Sequence, residues 1–414
     1  YMANLDRIRA EKLMLEMGVE ALILLSPESF VYATGVNAGV ATMWRRSGAV
    51  AVLIPRDHTI AETAIVSDLF VENFRALSHI KDVRESPIWV ETSNLTMEDK
   101  SKSAKEQIAS FVVSQSRPEE FNRPTTFEPQ ICYQHLRDVI FEHGLADSRI
   151  GYEASAISVS EYPEMKTILK KIELVEADNM INKLKMVKNE IEIKHLKLAS
   201  EIAESGMIAI RDSIKEGISR DELAMIWKEK IYGHSKSAEL NGSWEYISVG
   251  DNPWGGNARV KEGDLIKVDV GCLVDGYSSD GARTFVFGEP SNTKLEIYDA
   301  LLSGFQAGCS QLHPGKQLKD IYWAALSAIR ARGFSSYTRG HFGHGLGNGL
   351  GSEQWPFISA DAETRLEPGM VMAFECPWYI DGLGAMIIEN QFLVSDTGYE
   401  IMNSLPIQLQ SIKR

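Results

Sequence analysis

Two pairs of apolar segments in the last third of the chain carry acidic residues in their middle, and a turn sequence separates the members of each pair. The first pair holds Asp269 and Asp280 on either side of Asp275-Gly276, and the second pair holds Glu375 and Glu389. Segments such as Ile-Lys-Val-Asp-Val and Met-Ile-Ile-Glu consist largely of residue types that proteins bury. A chain with this pattern must fold so that several carboxylates share one interior.

Turn lengths predict how the two pairs are aligned. A two-residue turn at Asp275-Gly276 places positions 271 and 280 opposite each other, so that Asp269 and Asp280 are diagonal neighbours on one face, roughly 7–8 Å apart. A three-residue loop at Asp381–Leu383 places Glu375 directly opposite Glu389. Both hairpins are therefore predicted to present their carboxylates on one side of a sheet.

Four carboxylates in one interior repel one another and lose their hydration, so they need cations. Two divalent ions cancel four negative charges, and His344, in Gly-His-Phe-Gly-His-Gly-Leu-Gly between the hairpins, supplies a neutral fifth ligand. Oxygen-rich ligation with one imidazole suits Mn, Co, Fe or Zn and disfavours copper or a thiolate-bound zinc. A single strand aspartate could instead face solvent at a sheet edge, but that alternative does not account for the five residues together.

These segments resemble the pita-bread metallohydrolase family, which includes methionine aminopeptidase, aminopeptidase P, prolidase and creatinase. The family pattern is an Asp, a second Asp eleven residues on before Arg-Thr, a Gly-His-Gly and two Glu, and every ligand position is filled here. Arg7–Gly35 and Lys185–Ile191 are also similar to segments of the aminopeptidase P, prolidase and creatinase branch. The resemblance implies an α+β pita-bread catalytic domain, residues 176–414, preceded by a smaller α/β domain, residues 1–175.

The resemblance also implies roles for the ligands. Asp269 would bind one metal ion, His344 and Glu375 the other, and Asp280 and Glu389 would bridge both. A metal-bridged hydroxide would attack an amide carbonyl, with Glu375 as the catalytic residue that moves the proton to the leaving nitrogen. Manganese is favoured, with cobalt, zinc or iron as alternatives, and the branch implies a homodimer.

Departures from the family pattern lie in the residues that would hold the substrate. Proline-directed members carry a histidine where this chain has Asn257, and a second one where it has Ser352; some branches carry an arginine where Ile387 stands. The predicted pocket residues that replace this shell are Asn257, Trp254, His341, Ser352 and Trp355. For the two tryptophans, ordinary packing in a core or a dimer interface is the alternative.

The complete ligand set and the replaced substrate-holding residues leave three alternative functions. The first is a metal-dependent peptidase similar to Xaa-Pro dipeptidase or aminopeptidase P, acting on a small peptide. The second is a metal-dependent hydrolase or lyase that acts on a non-peptide small molecule, because the substrate-holding histidines are replaced. The third is a binding protein without catalysis, which the complete ligand set disfavours.

Composition narrows the partners and the compartment. A net charge of −14 leaves no basic excess for nucleic acid or an anionic membrane. The four cysteines show no paired close spacing, and Cys272 and Cys376 in apolar segments are expected to be buried thiols, which favours a reducing, cytoplasmic setting. No apolar stretch approaches the roughly 20 residues of a membrane span.

Hydrophobic periodicity predicts several elements around these motifs. The predicted helices are Asn4–Gly18, Ser103–Ser114, Lys188–Ile214, one that begins at Ser219, Lys294–Leu312 and Leu318–Arg332, and the predicted strands of the first domain include Ala21–Leu25 and Ser47–Ile54. Gly217 is expected to end the helix Lys188–Ile214.

Overall fold

The computed structural model describes residues 3–86, 95, 97–108, 128–349 and 351–413. The chain forms two compact units, Tyr1–Ile181 and Asn182–Arg414. The division falls within the helix Asp178–Met186, and the sequence-based boundary between residues 175 and 176 stays a prediction. Among the described residues, no helix combines the length and the apolar character needed to cross a membrane.

The first unit is an α/β domain built on a six-stranded mixed sheet with strand order β4-β3-β2-β1-β5-β6. Its elements, with the helix that follows them, are α1 (Arg7–Met17), β1 (Ala21–Leu24), α2 (Pro27–Thr34), α3 (Ala41–Trp44), β2 (Ala51–Pro55), β3 (Thr63–Ser67), α4 (Val71–Leu77), β4 (Asp82–Ser86), α5 (Pro129–Glu142), β5 (Arg149–Tyr152), α6 (Tyr162–Leu169), β6 (Glu173–Glu176) and α7 (Asp178–Met186). The predicted helix at Ser103–Ser114 lies partly outside the described residues.

Local sequence signals explain the start of this unit. Asp6 caps α1 by accepting hydrogen bonds from the backbone N–H groups of Ile8 and Arg9, and Gly18 ends it in the left-handed conformation with φ 72°. Every residue of the short apolar run that follows is buried, as expected for a central strand. The predicted helix and first strand are therefore confirmed, whereas β2 begins four residues later than predicted.

The second unit is an α+β domain whose large sheet has the order β12-β11-β13-β14-β10-β8-β7, with β15 beside β14, β16 beside β10 and β9 beside β8. Its elements are α8 (Glu190–Ser213), α9 (Arg220–Tyr232), β7 (Leu240–Val249), β8 (Leu265–Val274), β9 (Tyr277–Ser278), β10 (Gly281–Phe287), α10 (Asn292–Cys309), α11 (Leu318–Ala331), β11 (His341–Gly345), β12 (Gln354–Ser359), β13 (Val371–Ile380), β14 (Gly384–Val394), β15 (Tyr399–Ile401) and β16 (Gln410–Ile412).

Two pairs of helices pack against the sheet of the second unit. Helices α8 and α9 share an apolar core with β7 and β8, in which Trp227 is fully buried. Helices α10 and α11 share another with β13 and β14, where the rings of Phe305 and Phe374 stack with centroids 5.2 Å apart. Burial of each such aromatic ring contributes about 1.5–3 kcal/mol, so the helix pairs fix the strands that they cover. The predicted thiols Cys272 and Cys376 are buried and free.

Capping residues set the ends of the first helix pair. Asn189 and Glu192 form a capping box at the start of α8, and Ser219 and Glu222 form the predicted one at the start of α9. Helix α8 ends at Ser213. The expectation that Gly217 ends it is wrong: this glycine lies in the following turn with φ 79°.

Candidate metal centre

The two hairpins have the predicted registers. In the first, Val274 pairs with Tyr277 and Asp269 pairs with Ala282, so the loop between β8 and β9 is the two-residue turn Asp275-Gly276. Both turn residues have positive φ, 50° and 80°, which is the type I′ geometry that Asp-Gly adopts readily.

In the second hairpin, Glu375 pairs directly with Glu389, and Ile380 with Gly384 closes the three-residue loop. Because Ala282 on β10 also pairs with Glu389, one row crosses four neighbouring strands and contains Asp269, Ala282, Glu389 and Glu375. Residues directly opposite one another in antiparallel strands point to the same face. The register alone therefore brings three of the five predicted ligands to the face opposite the helices.

His344 joins this face from β11. It pairs with Ala373, two residues before Glu375 on β13, so its side chain lies on the same side as that carboxylate. The approach of β11 to β13 depends on Gly343, which has φ 146°; a Cβ there would lie 2.0 Å from the carbonyl oxygen of Ala373. This glycine therefore makes room for the neighbouring strand.

Asp280 completes the set from the segment between β9 and β10. Its Oδ2 lies 3.3 Å from Nε2 of His344, and Nε2 is 4.0 Å from Oε1 of Glu389. Asp280, His344 and Glu389 are buried and offer ligand atoms within 4.8 Å of one another. The Nδ1–H of His344 donates to the carbonyl oxygen of Gly345 at 2.9 Å, so Nε2 is the ring nitrogen that faces the carboxylates and would bind a metal ion.

Several carboxylate oxygens of this cluster are buried without a hydrogen-bond donor among the described residues. They are Oδ1 of Asp269, Oδ1 of Asp280 and both carboxylate oxygens of Glu389. Orphaned acceptors of this kind are costly in a folded protein unless a cation or a proton satisfies them. The donor set, four carboxylates and an imidazole with a committed Nδ1–H, fits divalent ions.

Burial and mutual repulsion change the pKa values of the clustered residues. Loss of hydration, and then the charge of Asp280, raise the pKa of both Asp269 and Glu389 well above its usual range. Burial also raises the pKa of Glu375, against the opposing effect of Arg339. Burial lowers the pKa of His344, but its hydrogen bond and charge interaction with Asp280 prevail and raise it to about 9. Because these pKa values are raised, protons and cations would compete for the same ligand atoms.

Glu375 also has neighbours outside the set of predicted ligands. Nη2 of Arg339 donates to its Oε1 at 2.6 Å. Nδ1 of His341 lies 3.9 Å from the same oxygen, and Nε2 of His341 lies 3.8 Å from Glu353. Burial, and then the charge of Arg339, lower the pKa of His341 to about 4, so that this ring is neutral at physiological pH.

A cavity of about 630 Å³ opens beside the cluster and is lined by Asp269, Asp280, Glu375 and Glu389. Four of the five predicted pocket residues also line it, namely Trp254, Asn257, His341 and Ser352. Trp254 is largely exposed and stacks on Tyr379 with ring centroids 5.0 Å apart, and Oδ1 of Asn257 accepts a hydrogen bond from the backbone N–H of Asp221.

Trp355 differs from the sequence-based expectation. It is not among the residues that line the cavity beside the carboxylates; it packs against the core beneath α10 and α11 and borders a separate cavity of about 290 Å³. The reason is local: the pairing of β11 with β12 is interrupted by register shifts on both sides of His344. Such irregularities change which face a side chain occupies.

The cavity residues that were not anticipated from the sequence include Lys267, Arg339 and Tyr379. Lys267 could have been found, because it precedes Asp269 by two residues and strand alternation puts both side chains on one face. Tyr379 stands four residues after Glu375 on β13, and the same reasoning applies. Arg339 lies just before β11, where no periodic pattern indicates its direction.

Comparison with known proteins gives two family matches. Residues 194–396 match the model of metallopeptidase family M24, and residues 7–187 match that of the creatinase/prolidase N-terminal domain. The chain is 31% identical over 268 residues to the Xaa-Pro dipeptidase of Pyrococcus furiosus, covering 63% of this chain and 75% of that one. It is 29% identical over 283 residues to the uncharacterized peptidase YqhT of Bacillus subtilis, covering 67% and 78%.

A solved structure supports the fold over nearly the whole length. The Xaa-Pro dipeptidase from Bacillus anthracis matches with a TM-score of 0.76 and 21% identity, covering 98% of this chain and 99% of that one. At this identity the likeness concerns the fold. The chain thus shares an architecture with that enzyme and presents five potential ligands beside a cavity suited to a small molecule.

Proposed function

The chain belongs to metallopeptidase family M24, with a creatinase/prolidase N-terminal domain before a pita-bread catalytic domain, and from this premise we propose that it is a hydrolase that uses two divalent metal ions to cleave the bond before proline in small peptides. The family uses divalent metals, and this chain offers candidate ligand groups for them. The single observation that carries the proposal is that buried carboxylate oxygens of Asp269, Asp280 and Glu389 lie in one cluster and have no hydrogen-bond donor among the described residues.

The proposed ligands follow the sequence prediction. Asp269 would hold one ion, His344 and Glu375 the other, and Asp280 and Glu389 both. Two divalent ions would cancel the four negative charges that face one another across the strands. When bound, such ions activate water and polarise a carbonyl group.

The chain's own residues then handle protons and position. We assign proton transfer to Glu375, whose carboxylate borders the cavity and would take a proton from water and hand it to the leaving nitrogen. Arg339 holds one of its oxygens at 2.6 Å, which limits rotation of the carboxylate. His341 is neutral and has Nε2 facing Glu353 and Nδ1 accepting from the N–H of Gly343, so it supports the wall beside Glu375.

The substrate class rests on the relatives and on the size of the cavity. Several relatives carry the name Xaa-Pro dipeptidase. A cavity of about 630 Å³ accommodates a ligand of dipeptide size. Manganese as the native metal, a homodimer and a cytoplasmic location stay predictions from the sequence.

One observation favours the second candidate function, the hydrolysis or lyase reaction of a non-peptide small molecule. Asn257 and Ser352 stand where proline-directed members carry histidine, and both line the cavity. Oδ1 of Asn257 is engaged with the backbone of Asp221, so it offers the substrate less than a free imidazole would.

A two-part experiment tests the proposal. Metal content is measured after purification and dialysis, and Ala-Pro, Gly-Pro and the matched dipeptide Ala-Ala are assayed with added Mn²⁺. We expect two ions per chain and turnover of the Xaa-Pro dipeptides alone, both lost in Asp280→Asn. Two bound ions without turnover of either dipeptide class favour the small-molecule function, and a protein that binds no metal contradicts both functions.

A further inference from the structure

Lys267 is a buried cation on the wall of the proposed active site. Lys267 is 6% exposed. It lies two residues before Asp269 on β8, and both residues line the cavity. Its strand neighbours Ile266 and Val268 point the other way, into the core beneath α8 and α9. The lysine is therefore directed into the cavity by the same alternation that directs the aspartate.

The ammonium group of Lys267 has an aromatic neighbour but no ionic one. Nζ lies 5.6 Å from the centre of the Tyr379 ring. In the described part of the chain, no carboxylate oxygen lies within 4.0 Å of it and no hydrogen bond of Nζ is found. Glu245, on the neighbouring strand β7, forms an ion pair with Arg220, with 2.5 Å between Oε2 and Nη2.

On the β10 and β14 side of Lys267, the neighbouring side chains offer it no acceptor. Lys267 pairs with Ser248 on β7 and with Thr284 on β10. The Thr284 hydroxyl donates to the carbonyl oxygen of Ile387 and accepts from its N–H, so its hydrogen-bonding capacity is spent on β14. Ile387 itself is apolar and fully buried.

The charge balance of the metal-loaded protein indicates that Lys267 needs a negatively charged partner. The carboxylates of Asp269, Glu389, Glu245 and Glu375 act on Lys267 through their charge, and that of Glu245 is already paired with Arg220. Two divalent ions would cancel the charge of the four ligand carboxylates, and the ammonium group would then be left as a buried charge without a partner. A buried unpaired charge is strongly unfavourable unless a ligand supplies the counter-charge.

Arg339, the other cation close to the ligands, is occupied differently. Its Nη2 is committed to Oε1 of Glu375. Nζ of Lys267, by contrast, has no hydrogen bond among the described residues, so all of its N–H donors are available to a bound molecule.

We propose that Lys267 binds a carboxylate group of the substrate and so selects substrates that carry a negative charge next to the bond that is cleaved. This inference rests on the proposed function, because it assumes that metal ions neutralise the ligand carboxylates. It deepens that function by assigning to Lys267 the recognition of the substrate's free carboxylate, which distinguishes a small acid from its amide.

The test compares a matched pair of ligands whose only difference is the charge. Binding of L-proline and of L-prolinamide to the Mn-loaded full-length protein is measured by calorimetry for the wild type and for Lys267→Met, Lys267→Arg and the surface control Lys236→Met. A charge-assisted hydrogen bond in a closed site corresponds to a factor of about ten to a hundred in affinity. We expect the wild type and Lys236→Met to prefer proline by about that factor, Lys267→Met to lose the preference, and Lys267→Arg to restore part of it.

Metal content, measured on the same samples, separates recognition from structural charge balance. We expect Lys267→Met to keep the wild-type number of ions and its fold by circular dichroism. A wild type that does not favour proline, a preference that survives in Lys267→Met, or a loss of metal in that variant overturns the inference. The proposed function is judged separately, by turnover of Xaa-Pro dipeptides. An active peptidase in which Lys267 is dispensable would overturn only the inference about the lysine. A protein that prefers proline but cleaves no peptide would overturn only the proposed function.

Discussion

Glu375 and Glu389 stand directly opposite each other on neighbouring antiparallel strands, and both side chains are buried. Like charges in this position destabilise a sheet. Their next neighbour in the row beyond Ala282 is a third acid, Asp269, so the arrangement favours cation binding at this face at the expense of the stability of the metal-free protein.

Replacing Glu389 by glutamine should separate stability from metal binding. We expect Glu389→Gln to raise the free energy of unfolding of the metal-free protein by about 1–3 kcal/mol, because it removes a buried acid that has no hydrogen-bond donor. The same variant should lose bound metal. Calorimetric unfolding in EDTA and elemental analysis measure the two effects, with the exposed Glu201→Gln as a control expected to change neither. A less stable metal-free variant would contradict this account.

Stability of the metal-free protein should fall as the pH rises. Asp269, Glu375 and Glu389 have raised pKa values when folded, whereas in the unfolded chain they titrate near about 4. The folded state thus binds more protons above that pH, and the free energy of unfolding decreases with pH. His344 acts in the same direction: its pKa is raised to about 9, so its stabilising charge is present below its unfolded pKa near 6.5 and lost as the pH rises through about 9.

The measurement is the melting temperature in EDTA between pH 5 and 9, repeated with saturating Mn²⁺. With metal, we expect the trend to reverse between pH 5 and 7, since protons and cations compete for the same oxygen and nitrogen atoms. Parallel pH profiles with and without metal would contradict the assignment of these groups as ligands.

Residues in strands of known alternation could be placed from the sequence. The pairing of Glu375 with Glu389 followed from a loop length and a period of two, as did the side-by-side placement of Asp269 and Asp280. Fold class and family also followed from these motifs, because the order and spacing of the acids are specific.

Residues at irregular points could not be placed in this way. Trp355 was expected in the pocket, but it stands on β12, whose pairing with β11 shifts register around His344. Arg339 precedes β11 in a segment without regular structure, and its reach to Glu375 depends on the course of that segment. Lys267 lies at a strand position that alternation predicts, two residues before Asp269, but lysine is a residue type that is almost never fully buried.

Loss of the Arg339 guanidinium should impair catalysis more than metal binding. Arg339→Gln removes a charge-assisted hydrogen bond of 2.6 Å to Glu375, and we expect kcat to fall by about ten- to a hundredfold while metal content stays at the wild-type level. Steady-state kinetics with Ala-Pro, together with elemental analysis, check this expectation. Arg332→Gln, at the exposed residue that directly follows α11, serves as the matched control. A variant with normal kcat would show that Arg339 does not orient the catalytic carboxylate.

A methyl group at Gly343 should disturb the proposed metal centre by separating two of the strands that carry its ligands. A Cβ at this residue would lie 2.0 Å from the carbonyl oxygen of Ala373, and its φ of 146° is unfavourable for other residues. Gly343→Ala must push β11 away from β13, which moves the adjacent His344 relative to Asp280 and Glu389. We expect a loss of about 3 kcal/mol or more in the free energy of unfolding and a metal affinity at least tenfold lower, measured by chemical denaturation and by titration with Mn²⁺. Gly398→Ala, where a Cβ meets open space, should leave both unchanged. If Gly343→Ala binds metal as the wild type does, then the close contact of the two strands does not position the histidine.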